Sequence, residues 1–488
     1  MLLSFLLKTA LPAGIDREVS RLMLDSRQVK PGDLFFALKG AHVDGRRYMA
    51  DAVKTGVAAI LVEGAAGEVI TIDEQVPIVP VQGLAQQLGE IAARFYDHPA
   101  TKLRMIGVTG TNGKTSCTQL IAQGLEVPCG IIGTLGSGFY GQLVETGWTT
   151  PDALTLQANL KQFVEKGAEA VAMEVSSHSI DQGRVNAVPF EIGIFTNLTQ
   201  DHLDYHGDME TYAKVKRRFL TDWPIKHLIM NVDDVYGRRW VQEMASSRPI
   251  FAYSTKQVAL PAKVQGVYAE QINLSLQGIR ARVITPWGCG QLHLPLIGQF
   301  NLSNALAVLT ALCLYGIPFG TVLERLEKLK AVPGRMQTLG GQEEPLVVVD
   351  YSHTPDALES ALRALRPHTS GKLICVFGCG GDRDASKRPK MSQIAEELAD
   401  VVIVTNDNPR HEKPEEIIQQ IMQGFNRPER VLVEFDRAKA IEKSIQLAGI
   451  NDCILIAGKG AERYQQMGDE KIPFDDVERA RHYLGMTV

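Results

Sequence analysis

Short apolar runs recur along the chain, each separated from the next by a segment of helix length. They fall at 34–38, 58–62, 78–81, 103–108, 170–174, 192–195, 227–231, 346–350, 372–377, 401–405, 431–434 and 453–457. Most are too far apart to pair through tight hairpins. Strands alternating with helices predict βαβ units and mostly parallel sheets, an α/β fold. Only 250–296 reads as β structure without helices between the runs. At roughly 100–200 residues per domain, three domains are expected. Asp97-His-Pro-Ala100 reads as a linker and Val332-Pro-Gly-Arg335 as a hinge, which divides the chain into 1–97, 98–331 and 332–488. Ligands of parallel sheets sit at the carboxyl ends of strands, so the chemistry is sought just after each run.

After the run at 103–108 comes Thr109-Gly-Thr-Asn-Gly-Lys-Thr115, followed by a helical stretch from Ser116 to Gly124. Strand, glycine turn, Lys-Thr and helix form the context of a phosphate-binding loop. Glycines at 107, 110 and 113 let backbone N–H groups approach phosphate oxygens, and the helix N-terminus adds partial positive charge. The strict Gly-x-x-x-x-Gly-Lys-Thr spacing is not met, because Val108 stands at the first glycine position. Gly110 to Ser116 are therefore candidate ATP contacts. Lys114 would neutralise the β and γ phosphates, and the Thr115 hydroxyl would meet Mg²⁺.

Composition narrows the alternatives. A formal charge of −5 leaves no broad basic field for nucleic acid. The seven cysteines form no Cys-x-x-Cys pair, which argues for free thiols in a reducing compartment rather than a disulfide framework or a zinc site. The N-terminal Leu2-Leu-Ser-Phe-Leu-Leu7 is short for a signal peptide and lacks a preceding basic residue. It reads as an amphipathic helix or an edge strand. No run approaches the roughly 20 apolar residues of a membrane span. A cytoplasmic monomer is expected.

Three downstream features suit phosphoryl transfer. Glu174 ends an apolar run and precedes Val175-Ser-Ser-His178, where a carboxylate can hold Mg²⁺. Asn197-Leu-Thr-Gln-Asp-His-Leu-Asp-Tyr-His206 groups histidines and aspartates, with His202 the candidate metal ligand or phosphate contact. Tyr212-Ala-Lys-Val-Lys-Arg-Arg218 is a basic helix, either a solvated face or a source of positive charge for an anionic ligand.

These motifs, with Asn301-Leu-Ser-Asn-Ala305, Pro333-Gly-Arg-Met336 and Asp350-Tyr-Ser-His-Thr-Pro-Asp356, resemble the Mur ligases of peptidoglycan precursor synthesis. The resemblance covers essentially the whole chain. It implies an N-terminal UDP-binding domain, a central ATPase domain and a Rossmann-like C-terminal domain that brings the amino acid. It assigns Lys114, Thr115, Glu174 and His202 to ATP and Mg²⁺, Asn301 and Asn304 to the adenine side, and Arg335 and Asp350 to the nucleotide. Leu24, Ser26 and the Ala41-His42-Val43 turn resemble uridine-nucleotide contacts. Thr149, Thr150, Ser176, Gln182 and Arg184 resemble residues along the path of the muramoyl-dipeptide. A carbamylated lysine four residues after a tyrosine would be Lys216, with Lys214 as the competing choice, and would serve as a further metal ligand.

Thr405-Asn-Asp-Asn-Pro-Arg410 resembles the recognition motif of the members that add meso-diaminopimelate. That amino acid differs from lysine by a second carboxylate, which Arg410 can meet with a two-pronged, charge-assisted contact. Asp407, Asn408 and Pro409 share the motif. Arg383 would take another carboxylate, and Gly458 and Glu462 would complete the pocket. Ala461 departs from the family's usual histidine. The reaction implied is ATP-dependent joining of meso-diaminopimelate to UDP-N-acetylmuramoyl-L-alanyl-D-glutamate through an acyl phosphate. A lysine-adding Mur ligase and a folylpolyglutamate synthetase-like protein are the nearest rivals. A non-ligating nucleotide switch is the rival of another class.

Overall fold

The computed structural model describes residues 1–486 apart from 41, 42, 66, 67, 69 and 342. Ala41 and His42, expected at the uridine nucleotide, lie outside the described residues. The chain forms two compact units: Met1–Gly107 with Val127–Glu191 and Arg218–Ile225, and Val108–Glu126 with Ile192–Arg217 and Lys226–Val488.

The first unit holds a five-stranded sheet in the order Leu22–Met23, Leu34–Ala37, Ala59–Glu63, Val76–Val81, Thr71–Asp73. All pairs are parallel except the last. Alternate residues of one strand serve opposite cores. Leu34 and Phe36 pack with helices Leu3–Leu7 and Leu84–Phe95, while Phe35 and Ala37 pack with helix Met49–Thr55. That is the period-two geometry of a strand covered on both faces. In the same unit, Ala170–Glu174 runs parallel to Cys129–Gly133, which continues antiparallel into Gly136–Phe139 and Gln142–Val144. Helix Ala153–Glu165 is started by Asp152, whose carboxylate accepts from the N–H groups of Leu154 and Thr155 at 2.9 and 3.0 Å.

In the second unit, Phe190–Phe195, His227–Asn231, Ile250–Ser254 and Gln265–Ser275 are successive parallel neighbours. Gly278–Thr285 and Gly288–Leu294 extend them antiparallel, as the helix-free stretch from 250 predicts. Helix Lys114–Leu125 packs on helix Gln299–Tyr315 so closely that a Cβ on Gly124 would lie 2.7 Å from Leu312 Cδ1. A second sheet follows the order Gln337–Gly340, Leu346–Asp350, Cys453–Ala457, Leu373–Phe377, Val401–Val404, Leu432–Val433, parallel except for its first strand. Val347 and Val349 face one core, and Val348 the other.

Two local expectations are sharpened and one element was not expected. The segment Asp97 to Ala100, read as a linker, is ordered: after Asp97 and His98, both left-handed, the chain forms the turn Pro99–Lys102 with Pro99 and Ala100 buried. The helix after the phosphate loop starts at Lys114 rather than Ser116, because left-handed Gly113 ends the loop one residue before it. The hairpin Tyr464–Met467 with Glu470–Pro473 went unread, since its residues carry little apolar alternation.

One buried ion pair fixes the sheet end nearest the amino-acid motif. Arg437 and Asp476 are both fully buried and meet in two 2.7 Å hydrogen bonds. Arg437 also donates to the Ala457 carbonyl at 3.0 Å. Asp476→Ala leaves that guanidinium without its counter-ion and should cost about 3–5 kcal/mol, read as a lowered midpoint in denaturant unfolding. An unchanged midpoint would show that the pair is dispensable.

Candidate active site

Within the second unit, the loop after strand Arg104–Thr109 is shaped by close approach. Gly110 has φ 147°, and a Cβ there would lie 1.9 Å from Thr196 Oγ1. Gly113 has φ 86°, with Asn304 Oδ1 2.6 Å from the position of a Cβ. Neither site accommodates a side chain. Lys114 bends back over the loop, donating to the carbonyls of Gly110 and Thr111 at 3.0 and 2.8 Å. Asn197 accepts from the Asn112 N–H at 2.9 Å and donates to the Asn112 carbonyl at 3.1 Å, which ties the Asn197 motif to the loop.

Helix Met209–Asp222 carries Lys216 beneath this loop. Its side chain is 1% exposed, and Nζ donates to the Gly110 carbonyl at 2.8 Å. Nζ also stands 4.9 Å over the Tyr212 ring, and the Tyr212 hydroxyl shares a 3.2 Å hydrogen bond with Thr111. Burial and then the neighbouring Lys114 drive the Lys216 amine well below the ordinary lysine range, with Asp201 opposing them. Lys214, the competing position, is exposed.

The loop opens on a cavity of about 470 Å³. Asn112, Gly113 and Ser116 line one side, Asn304 and Phe300 another, and Arg335, Asp350 and Asp356 a third. Asn301 lies behind this wall: its side-chain Oδ1 accepts from Asn304 Nδ2 at 3.3 Å, and its Nδ2 donates to the Ile297 carbonyl at 2.8 Å. Arg335 lies 4.4 Å over the Tyr351 ring and donates to Thr115 Oγ1 at 3.1 Å. Asp350 accepts from the Met336 N–H at 2.7 Å and from the Ser352 hydroxyl. Asn112 donates to Asp356 at 3.2 Å. The hinge residue Gly334 is pressed against the next loop, where a Cβ would lie 2.0 Å from the Ala461 nitrogen.

Asp201 is a hub. Its side chain is 9% exposed, with His202 Nε2 at 3.4 Å and His353 Nε2 at 3.7 Å. Burial alone would raise it, but His202, His353 and Lys387 together hold it well below the usual carboxylate range. Beside it, Gln200 donates to Asp384 at 3.1 Å and to Ser386 at 2.8 Å, and accepts from Lys390.

The amino-acid motif forms a further polar cluster in the same unit. Asn408 donates to Glu462 at 2.9 Å, and buried Lys459 donates to Asn408 and Glu462 at 2.9 and 3.0 Å. Burial would raise the Asp407 carboxyl, but Lys459, Arg437 and Arg410 hold it below the usual carboxylate range. Arg410 is left-handed at φ 51° and donates to the Gly381 carbonyl at 2.7 Å, behind which Pro409 packs. A Cβ on Gly380 would lie 2.8 Å from Arg410 and 3.9 Å from Arg383, so both guanidinium-bearing residues border one patch. Gly458, φ 120°, leaves room for Asp407 Oδ2, 2.5 Å from where a Cβ would sit.

In the first unit, Glu174 is 1% exposed and accepts from the Thr134 N–H and hydroxyl at 2.8 and 3.2 Å. Thr134 shares a 3.1 Å hydrogen bond with Thr149. Thr150 donates to the Glu174 carbonyl at 2.7 Å and accepts from the Ser176 N–H at 3.2 Å. Arg184 donates to the Thr150 carbonyl at 2.8 Å and to Gln182. Residues that the sequence spreads from 149 to 184 are therefore one cluster. Leu24 and Ser26 flank Asp25, which caps the turn Ser26–Gln28, and Val43 is exposed.

Several site residues escaped the sequence reading. Asp201, His353 and Asp356 lie within motifs that were recognised, but no role pointed to them. Lys459 sits between two noted residues, Gly458 and Glu462. Asp233, Asp234, Thr255 and Leu274 line the cavity from the β-rich stretch and the loop before it, where nothing local marks them. Among the described residues, no three His, Cys, Asp or Glu side chains converge as a metal-binding group, and no helix is long and apolar enough to cross a membrane.

Three family descriptions match the chain: "Mur ligase family, catalytic domain" at 18–96, "Mur ligase middle domain" at 108–312 and "Mur ligase, glutamate ligase domain" at 334–460. The UDP-N-acetylmuramoyl-L-alanyl-D-glutamate–2,6-diaminopimelate ligase of Coxiella burnetii is 49% identical over 469 residues, covering 96% of each chain. That of Pseudomonas aeruginosa is 49% identical over 474 residues, again 96% of each. A solved ligase of the same name is 35% identical with a TM-score of 0.68, covering 96% of this chain and 95% of the other. MurF from Acinetobacter baumannii shares the fold at 21% identity and a TM-score of 0.65, with 92% of each chain covered.

The Lys216 environment has a consequence for stability. A lysine lowered in the folded state binds fewer protons there than in the unfolded chain. Stability should therefore rise with pH between its lowered value and the ordinary 10.5. In carbon-dioxide-free buffer, denaturant midpoints of the wild type should show this rise, and Lys216→Met should lack it. Parallel pH profiles would contradict an uncharged amine.

Proposed function

Because the chain belongs to the Mur ligase family, we propose that it joins meso-diaminopimelate to the D-glutamyl carboxylate of UDP-N-acetylmuramoyl-L-alanyl-D-glutamate, consuming ATP. The observation that carries this is the cluster of Asp407, Asn408, Arg410 and Glu462 beside the hinge and phosphate loop of one unit, in a chain 49% identical to diaminopimelate ligases over nearly its full length. The three-part division at 97 and 331 is supported by family matches at 18–96, 108–312 and 334–460, whose gaps contain both boundaries.

In this reading the cavity takes the nucleotide, with Asn304 toward the adenine and Gly110 to Ser116 around the phosphates. Asn301 acts by fixing Asn304. Arg335 and Asp350 complete the site from the hinge side. Thr149, Thr150, Ser176, Gln182 and Arg184 line the muramoyl-dipeptide path, and Leu24, Ser26 and Val43 meet the uridine nucleotide. Arg410 and Arg383 read the carboxylates of the amino acid, and Asp407, Asn408, Pro409, Gly458 and Glu462 shape its pocket.

Hard oxygen donors suit Mg²⁺, which binds few protein groups and takes the rest of its shell from water and phosphate. The Thr115 hydroxyl and the Glu174 carboxylate are of that kind, and His202, beside Asp201, is the remaining candidate ligand. An uncharged, buried Lys216 amine is the form that reacts with carbon dioxide. Carbamylation would replace its hydrogen bond to Gly110 with an anionic oxygen donor for the metal. Bound Mg²⁺ would neutralise charge on the transferring phosphoryl group.

The chain's own residues hold and orient the reactants. Lys114 lies along the phosphate loop to stabilise charge as the D-glutamyl carboxylate attacks the γ-phosphate. The resulting acyl phosphate is then attacked by the amine, and phosphate departs. Closure about Gly334 would exclude water from that intermediate.

ADP release by the wild type should require both the UDP-muramoyl dipeptide and an amino acid, with meso-diaminopimelate far better than L-lysine. Arg410→Ala should cost diaminopimelate turnover at least about a hundredfold, as loss of a buried charge-assisted contact implies. Equal use of lysine by the wild type would contradict the selector, and amino-acid-independent ADP release would favour the nucleotide switch.

A further inference from the structure

The incoming amino acid carries its amine as an ammonium at neutral pH, and an ammonium has no lone pair with which to attack. The ligase reading, on which this inference rests, therefore needs a proton acceptor near the amino-acid pocket. The acidic groups there are already committed. Asp407 is held ionised by surrounding cations, and Glu462 accepts from Lys459, Asn408 and Tyr351.

His353 differs from both. Its Nδ1 lies 2.8 Å from the Tyr351 carbonyl oxygen. A carbonyl only accepts, so Nδ1 carries the hydrogen, and Nε2 becomes the acid–base atom of the ring. The side chain is one-third exposed, so that edge is reachable. Nε2 stands 3.7 Å from Asp201 Oδ2, a buried carboxylate suited to stabilise a proton arriving on the ring. The ring packs edge-on against Tyr351 at 4.6 Å, and the Tyr351 hydroxyl reaches Glu462 at 3.3 Å. The ring thus touches Asp201 on the phosphate side and, through Tyr351, borders Glu462 of the amino-acid pocket. Asp201, the carboxylate facing the ring, also feels His202 and Lys387, and Asp407 lies among Lys459, Arg437 and Arg410.

We propose that His353 Nε2 takes the proton from the attacking ammonium of the incoming amino acid. The N–H bond breaks and leaves its electron pair on nitrogen. That pair forms the C–N bond at the acyl carbon. The C–O bond to phosphorus-bound oxygen then breaks, with its pair on the departing phosphate. The second nitrogen proton leaves with that phosphate, and His353 returns its proton to solvent. Asp201 is a positioning residue in this step, acting through the imidazole.

Hydroxylamine separates this role from a structural one, because it is largely unprotonated at neutral pH and can trap the same acyl phosphate without a base. In full-length His353→Gln, diaminopimelate turnover should fall about 10²–10⁴-fold, the range for loss of a general base. Hydroxamate formation from the UDP-muramoyl dipeptide, ATP and hydroxylamine should stay close to wild type, which also reports an intact fold. In His353→Ala, added imidazole should restore turnover in proportion to its unprotonated fraction. Equal loss with both nucleophiles and no imidazole rescue, or undiminished diaminopimelate turnover, would overturn the assignment. The wild type's own amino-acid-dependent turnover tests the underlying ligase reading separately.

Discussion

The Gly110 carbonyl accepts from two lysines, Lys114 Nζ at 3.0 Å and Lys216 Nζ at 2.8 Å. Two amines on one backbone oxygen, one of them sealed from water, cannot both carry full charge without large cost. The fold resolves this by lowering Lys216. Much of the site follows from that crowding. Gly110 must lack a side chain to let Thr196 close in, Tyr212 caps the buried amine, and Thr111 ties Tyr212 to the loop. The loop is thereby tied at Gly110, Thr111 and Asn112 by side chains of its surroundings, the kind of support that electrostatic preorganisation needs.

The parallel sheets were legible because their strands are buried on both faces and read as unbroken apolar runs. The runs at 170–174, 227–231, 346–350 and 453–457 coincide with the observed strands. Motifs at strand ends were legible for the same topological reason. What the sequence hid was set by tertiary contact. Nothing local in Asp97-His-Pro-Ala100 says that Pro99 and Ala100 are buried. Nothing in Asp201 or His353 alone says that 152 residues of separation close to 3.7 Å. Lys459 passes for an ordinary loop lysine until its full burial against Asn408 and Glu462 is seen. Lys216 could be chosen over Lys214 only through the family resemblance, whereas burial separates the two at once.

The second unit explains why its functional residues are scattered from 110 to 462. Arg335 reaches Thr115, Asn112 reaches Asp356, and Asp201 faces His353. Each contact joins the phosphate loop or its neighbour to the hinge or the sheet beyond it. A nucleotide in the cavity and an amino acid beside Asp407 would thus be held by one connected polar network. Gly334, with no space for a side chain against Ala461, makes the hinge part of that network.

Acyl-phosphate ligation is tested most directly by the fate of one oxygen atom. With heavy oxygen in the D-glutamyl carboxylate of the UDP-muramoyl dipeptide, one labelled atom should become the bridge to phosphorus and leave with it. Mass analysis should therefore find one heavy oxygen in the released phosphate for each amide bond formed. Amide formation with unlabelled phosphate would contradict the account.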